Sequence, residues 1–169
     1  AMSLPLGLAV EAATSGSWLA IVDVGEIGLE AAEEFGIALR RIVRVDTDGC
    51  VGDRWAELLA ATVDGFELVI TRAPRGVNAG LARRIAARLK SREAVLILVG
   101  SEVTDALDPA FVLRSEAPRW VGVDDGAGYL RGRQVAVAAT GRRIPRPRRA
   151  ELWLPDATGT IRPLEEPPQ

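Results

Sequence analysis

The spacing of apolar positions changes character along the chain and divides it into two kinds of element. The centre is the stretch from Asp64 to Gly100. Phe66 to Thr71 is an apolar run short enough for a buried strand, Asn78 to Ser91 repeats Leu81, Ile85 and Leu89 at helical spacing, and Ala94 to Val99 is a second apolar run. Two such strands joined through a helix predict a right-handed βαβ unit in a parallel sheet covered on both faces. Upstream the pattern repeats. A helix opens near Ser3 with Leu4, Leu8 and Ala12 in register, Pro5 in its first turn and Gly16 as its stop. The spacing then predicts a strand over Trp18 to Asp23 and a helix over Leu29 to Phe35, with Glu30, Glu33 and Glu34 outward. A strand over Arg41 to Val45 follows, then a helix from an Asp53 N-cap to Val63 whose inner face is Trp55, Leu58, Leu59 and Thr62.

After Val99 the alternation of strands and helices gives way to consecutive strands. Phe111 to Arg114 and Arg119 to Val123 read as extended, Asp124 to Gly128 as a turn, Tyr129 to Thr140 as a long strand and Glu151 to Leu154 as a short last one. The predicted class is α/β, a mostly parallel sheet flanked by helices with an antiparallel C-terminal hairpin extension. Residues 3–154 are expected to form a single domain, and 155–169, with four prolines, a flexible tail.

Composition narrows the chemistry. The 169 residues are 48% hydrophobic and 26% charged, enough for one full core. There is no histidine and one cysteine, Cys50, which removes Ser-His-Asp and Cys-His catalysis, Cys/His zinc sites and an internal disulfide. With no 18-residue apolar run and no charged-then-apolar leader, the expectation is a cytoplasmic protein without a membrane span. Lys90 is the only lysine among 21 basic residues, a usage typical of a GC-rich bacterial genome.

Charge is unevenly spread. Residues 1–130 carry 13 basic and 19 acidic side chains, a net −6, and residues 131–169 carry 8 and 4, a net +4. An anionic partner is expected to meet the C-terminal part first. The cluster Arg142, Arg143, Arg146, Arg148 and Arg149 is the strongest candidate for that contact, with DNA or an acidic partner, because arginine forks suit phosphates and carboxylates and crowded like charges favour an external anion. No aromatic residue interleaves the run, so base stacking is not expected from it. Trp120 and Trp153, which flank the hairpin and the last strand, are core residues by default, and Trp153 beside the arginines is a partner anchor if exposed. The basic outer face of the helix over Asn78 to Ser91 reads as solvated. Asp23 and Glu26 read as turn-capping groups, Asp46 to Gly49 as a turn without the later ligands of a calcium loop, and Cys50 as incidental; no metal site is predicted. At the carboxyl end of the first central strand, where an α/β nucleotide-binding fold places a Mg²⁺-holding carboxylate, the chain has Thr71 and Arg72.

These residues carry a family resemblance. SLPLGLAVEAATSGSWLAIVDVGEIGLEAAEEFGI is similar, without gaps, to the recombinase RecA just past its phosphate-binding loop. FELVI resembles the next nucleotide-contacting strand of that family, Gly80 to Lys90 the helix after it, and AVLILV the strand leading into a DNA-binding loop. The resemblance spans Ser3 to Val99 and, more weakly, the hairpin. In that register Ala1 stands at the Walker A lysine, so the P-loop is absent and the domain is expected to be cut into at its N-terminal side. Gly25 stands at the catalytic glutamate with Glu26 beside it, Arg72 at the Walker B aspartate, and Ser101 at the glutamine that senses the γ-phosphate. Phosphoryl transfer needs a lysine on the phosphates, a carboxylate-anchored Mg²⁺ and a polarised water. The resemblance supplies none in place, and no cofactor is expected.

Two RecA-like groups lack that machinery, the ImuA-type accessory proteins of damage-induced mutagenesis and the SulA-type inhibitors of cell division. The Arg-rich finish GRRIPRPRRAELWLP and the composition resemble the ImuA group, in the form found in mycobacteria and their relatives. That resemblance implies a non-catalytic subunit in SOS-induced translesion synthesis. Its partners would be an ImuB-type inactive Y-family polymerase, the associated error-prone replicative-type polymerase and, through the basic segment, single-stranded DNA. A monomer or weak dimer is expected. The alternatives are a SulA-like division inhibitor, or a weak P-loop ATPase if a Walker A loop lies upstream of Ser3.

Overall fold

The computed structural model describes residues 2–25, 27–72, 77–100, 107–124 and 127–164. Contacts divide the chain into two compact units, one over Leu4–Asp108 and one from Pro109 onward, where the sequence pattern suggests a single domain over 3–154.

The first unit contains α1 (Ser3–Thr14), β1 (Leu19–Val22), α2 (Leu29–Glu34), β2 (Ile42–Val45), α3 (Gly52–Gly65), β3 (Leu68–Arg72), α4 (Ala79–Arg92) and β4 (Val95–Val99). Its strands form a wholly parallel sheet in the order β2-β1-β3-β4. Successive strand residues point to opposite faces, and both faces are covered. On one, Ala20, Val22 and Val69 meet Trp55, Leu59, Val63, Leu81 and Ile85 of α3 and α4. On the other, Leu19, Ile21, Leu68 and Ile70 meet Leu6, Ala9 and Ala13 of α1 and Ala32 of α2. Helix α4 is capped by Asn78, whose side chain accepts from Leu81 N at 2.9 Å. No described helix is long and apolar enough to cross a membrane.

Some details differ from the sequence expectation. The buried stripe of α1 is Leu6, Ala9 and Ala13 rather than Leu4, Leu8 and Ala12, and Leu8 is exposed. This helix is apolar on nearly every side, so spacing alone could not choose its inward face. Asp53 lies in the first turn of α3, which Val51 caps without a side-chain bond, and its carboxylate accepts from Arg84 at 3.2 Å instead. Arg88 and Arg92 both bond to Asp64 of α3, so much of the outer charge of α4 is paired within the unit.

The second unit is a separate antiparallel sheet, not an extension of the parallel one, in the order β5-β6-β7-β8. Its strands are β5 (Val112–Asp124), β6 (Ala127–Thr140), β7 (Arg148–Trp153) and β8 (Arg162–Pro163). The two extended pieces expected around Pro118 are one strand with a register shift between Glu116 and Arg119, where Ala117 takes φ 43°. The shift turns the strand without ending it. At Gly141, with φ 125°, a side chain would place its Cβ 2.7 Å from the Ala110 carbonyl, so only glycine closes this corner. Residues 155–164 are folded rather than a loose tail. Buried Asp156 accepts from the Thr158 hydroxyl (2.7 Å), the Thr158 and Thr160 backbone N–H groups (2.8 and 3.0 Å) and Arg162 Nε (2.8 Å). That set of bonds turns the chain back so that β8 pairs with β7.

Candidate functional site

In the parallel unit, β1 leads through α2 to β2 on one side, while β3 leads through α4 to β4 on the other. The connections therefore diverge at the carboxyl ends of β1 and β3, the place where open parallel sheets bind ligands. A cleft of about 530 Å³ opens there, lined by Ile21 of β1 and Asp23, Val24 and Gly25 after it, Arg44 to Asp46 at the end of β2, Gly49 to Val51 before α3, Trp55 in its first turn, and Arg72 at the end of β3.

Asp23 holds the cleft together. It has φ 52°, a left-handed conformation tolerated by aspartate but uncommon outside sites that over-determine it. One carboxylate oxygen accepts from the Thr47 backbone N–H at 2.9 Å and the other from the Thr47 hydroxyl, so both are used in tying the loop after β2 to the end of β1. Asp46 accepts from the Asp48 backbone N–H at 3.0 Å and closes a turn. These bonds fit the capping and turn roles predicted for both residues.

The two sequence-predicted positions described here, Gly25 and Arg72, both line this cleft; Ser101, like Glu26 and Ala1, lies outside the described residues. Gly25 offers no side chain, and Arg72 presents a cation at the end of β3. Arg44 is the register partner of Ile21, and Arg72 lies two residues past Ile70, so alternation puts both arginines on the α1/α2 side of the sheet. Neither forms an ion pair among the described residues. Arg44 was not singled out in the sequence because one arginine in an alternating strand carries no motif. The cleft can take an anionic group beside Arg44 and Arg72, whereas both of its carboxylates are already engaged, Asp23 by two hydrogen bonds and Asp46 by one. Among the described residues no group of three His, Cys, Asp or Glu side chains is placed to hold a metal ion.

The basic segment belongs to the second unit, and the fold divides it. Arg142 and Arg143 lie in the turn after Gly141, and Arg146 precedes β7. Arg148 and Arg149 are consecutive residues of β7 and so face opposite sides of the sheet. Arg149 pairs with Glu116 across the sheet at 2.7 Å, and Arg142 is also engaged. Arg143, Arg146 and Arg148 have no counter-ion among the described residues. The five arginines are therefore not one uniform strip. Trp153 is half-buried, with Gly132 against its ring and the Arg162 guanidinium 5.9 Å from the ring centroid. It packs within the sheet and is not a free anchor.

Trp120, expected in the core, faces solvent instead and is 53% exposed. It is the cross-strand partner of Arg133, whose guanidinium lies 5.4 Å from its ring centroid. Sequence reasoning missed this pair, although Arg133 interrupts the apolar alternation of β6 and was the available signal.

Residues 1–105 match the family profile described as the MT3502 N-terminal domain, a span that coincides with nearly all of the parallel-sheet unit. No curated protein matches the chain.

Proposed function

The chain belongs to the MT3502 N-terminal domain family, and we propose that it is a degenerate RecA-like protein of the ImuA type, acting as a non-catalytic accessory subunit in SOS-induced translesion synthesis. In this reading the parallel unit is a nucleotide-binding sheet turned to scaffolding. The antiparallel unit meets the anionic partner. The chain works in the cytoplasm, as a monomer or weak dimer, with an ImuB-type inactive Y-family polymerase, an error-prone replicative-type polymerase and single-stranded DNA.

The observation that carries the proposal is the chemistry at the carboxyl ends of β1 and β3. A P-loop ATPase needs carboxylates there to anchor Mg²⁺ and polarise water. This chain offers Gly25, an Asp23 committed to Thr47, and Arg72, whose positive charge would repel the ion. Further support comes from charge. Residues 1–108 carry 11 basic and 16 acidic side chains, a net −5, whereas residues 109–169 carry 10 and 7, a net +3. The positive unit is the one suited to a nucleic-acid partner.

The test combines genetics with purified proteins. Deleting the gene is expected to remove damage-induced mutation. The purified chain is expected to retain the ImuB-type polymerase from the same genome without added nucleotide and to hydrolyse no ATP. Specific retention of the division GTPase instead would replace this reading with the SulA-like one, and ATP hydrolysis lost in an Asp23→Ala variant would replace it with an enzymatic one.

A further inference from the structure

Arg133 is an anomaly of the second unit. Its side chain is buried, the residue being 9% exposed, yet no carboxylate pairs with it among the described residues. Of the five N–H donors of a guanidinium, one is used in a hydrogen bond among the described residues, from Nε to the Leu154 carbonyl at 2.9 Å. Burial lowers its pKa from the ordinary arginine value, but arginine stays charged in proteins. Burying a cation without an anion costs stability, so a feature of this kind calls for a reason.

The group packed on Arg133 suggests one. Trp120 has the guanidinium over its ring at 5.4 Å while remaining 53% exposed. The indole is thus braced by a buried cation while more than half of the residue stays open to solvent. Tyr129, 89% exposed, lies toward the turn end of the same hairpin. The unit that carries them has a net charge of +3, and its Arg143, Arg146 and Arg148 have no counter-ion among the described residues.

We propose that Trp120, held on the buried Arg133, is a base-stacking platform through which the antiparallel unit binds single-stranded nucleic acid. A single strand supplies both things the surface lacks, planar bases for an exposed ring and phosphates for unpaired cations. An acidic protein segment would satisfy the arginines and leave the indole face without a planar partner. This inference rests on the nucleic-acid arm of the proposed function and assigns it a residue outside the arginine run.

The test is fluorescence polarisation of the full chain with a labelled oligothymidylate and with an abasic strand of the same length, at low salt. Trp120→Ala is expected to weaken oligothymidylate binding by about 5- to 150-fold, the range for one lost base stack. It is expected to leave the abasic strand unchanged, and Trp120→Phe, which keeps a flat ring, should retain most of the affinity. Equal weakening on both strands, or Trp120→Ala binding as the unaltered protein does while an Arg143→Ala, Arg146→Ala, Arg148→Ala variant loses binding, overturns the stacking site and leaves the nucleic-acid reading standing. No binding of either strand by the unaltered protein removes the nucleic-acid arm of the proposed function and the stacking site with it.

Discussion

The two units solve the problem of stability in opposite ways. The parallel unit buries both faces of its sheet under helices, with Trp55, Leu59, Ile21 and Ile70 fully enclosed, and carries a net −5. The antiparallel unit buries few large side chains, chiefly Val135, Val137 and Leu154, leaves Phe111, Trp120 and Tyr129 in solvent, and carries a net +3. What the second unit lacks in apolar layers it replaces with specific polar bonds around Asp156. A unit that holds its shape with little core has surface left for a partner. The division of labour proposed above follows from that contrast.

The contrast is sharpest in core truncations. Trp55→Ala removes the largest fully buried side chain of the parallel unit and is expected to destabilise it by about 3–5 kcal/mol, measured by chemical denaturation. Val137→Ala in the antiparallel unit is expected to cost about 2 kcal/mol. Equal losses would mean that the second unit has a core as deep as the first.

Asp156 comes next. Its carboxyl is held well below the usual carboxylate range, first by the Thr158 hydroxyl, then by the Thr158 and Thr160 backbone N–H groups and Arg162, against an opposing effect of burial. A carboxyl whose folded pKa is depressed contributes its full stability above the unfolded value of about 3.9, and loses it as pH falls through the lower folded value. Asp156→Ala is therefore expected to lower the melting temperature by several degrees at neutral pH. The difference from the unaltered protein should shrink below about pH 4. A pH-independent difference would show that the carboxylate charge is not what holds the turn.

The smallest effect is expected at Asp64, which bonds to Arg88 and Arg92 on the exposed side of α3 and α4. Asp64→Ala should scarcely move the melting temperature, and less in high salt, because exposed ion pairs are screened and gain little. A large loss would place real stability on the charged surface of the parallel unit and blur the comparison.

The sequence was most readable where one pattern served one role. The buried parallel strand Leu19–Val22 is a continuous apolar run, Leu68–Arg72 opens on one, and Asn78 announces α4 by its side chain, so these elements lie close to where spacing predicts them. The face of α1 was not readable, because its apolar residues surround it. The second unit was harder. Its strands alternate around a register shift at Ala117, so whether Trp120 faces inward depends on a pairing that spacing does not fix. Prolines between 155 and 164 suggest a tail, while the order there comes from hydrogen bonds to one aspartate. Of the site, Arg72 was legible because its strand was. The division of the five arginines was not, because it depends on β7 beginning at Arg148, three residues before the predicted strand.

The most direct test of the claim that the antiparallel unit is the binding unit is the salt dependence of affinity for single-stranded DNA. The unaltered protein is to be measured beside an Arg143→Ala, Arg146→Ala, Arg148→Ala variant and beside Arg149→Ala. Each phosphate contact contributes about −0.7 to the slope of log affinity against log salt. Salt-sensitive binding is expected, with a slope shallower by about 2 in the triple variant and little change for Arg149→Ala, whose charge is already paired with Glu116. Binding that is absent at low salt, or a triple variant with an unchanged slope, would contradict the claim.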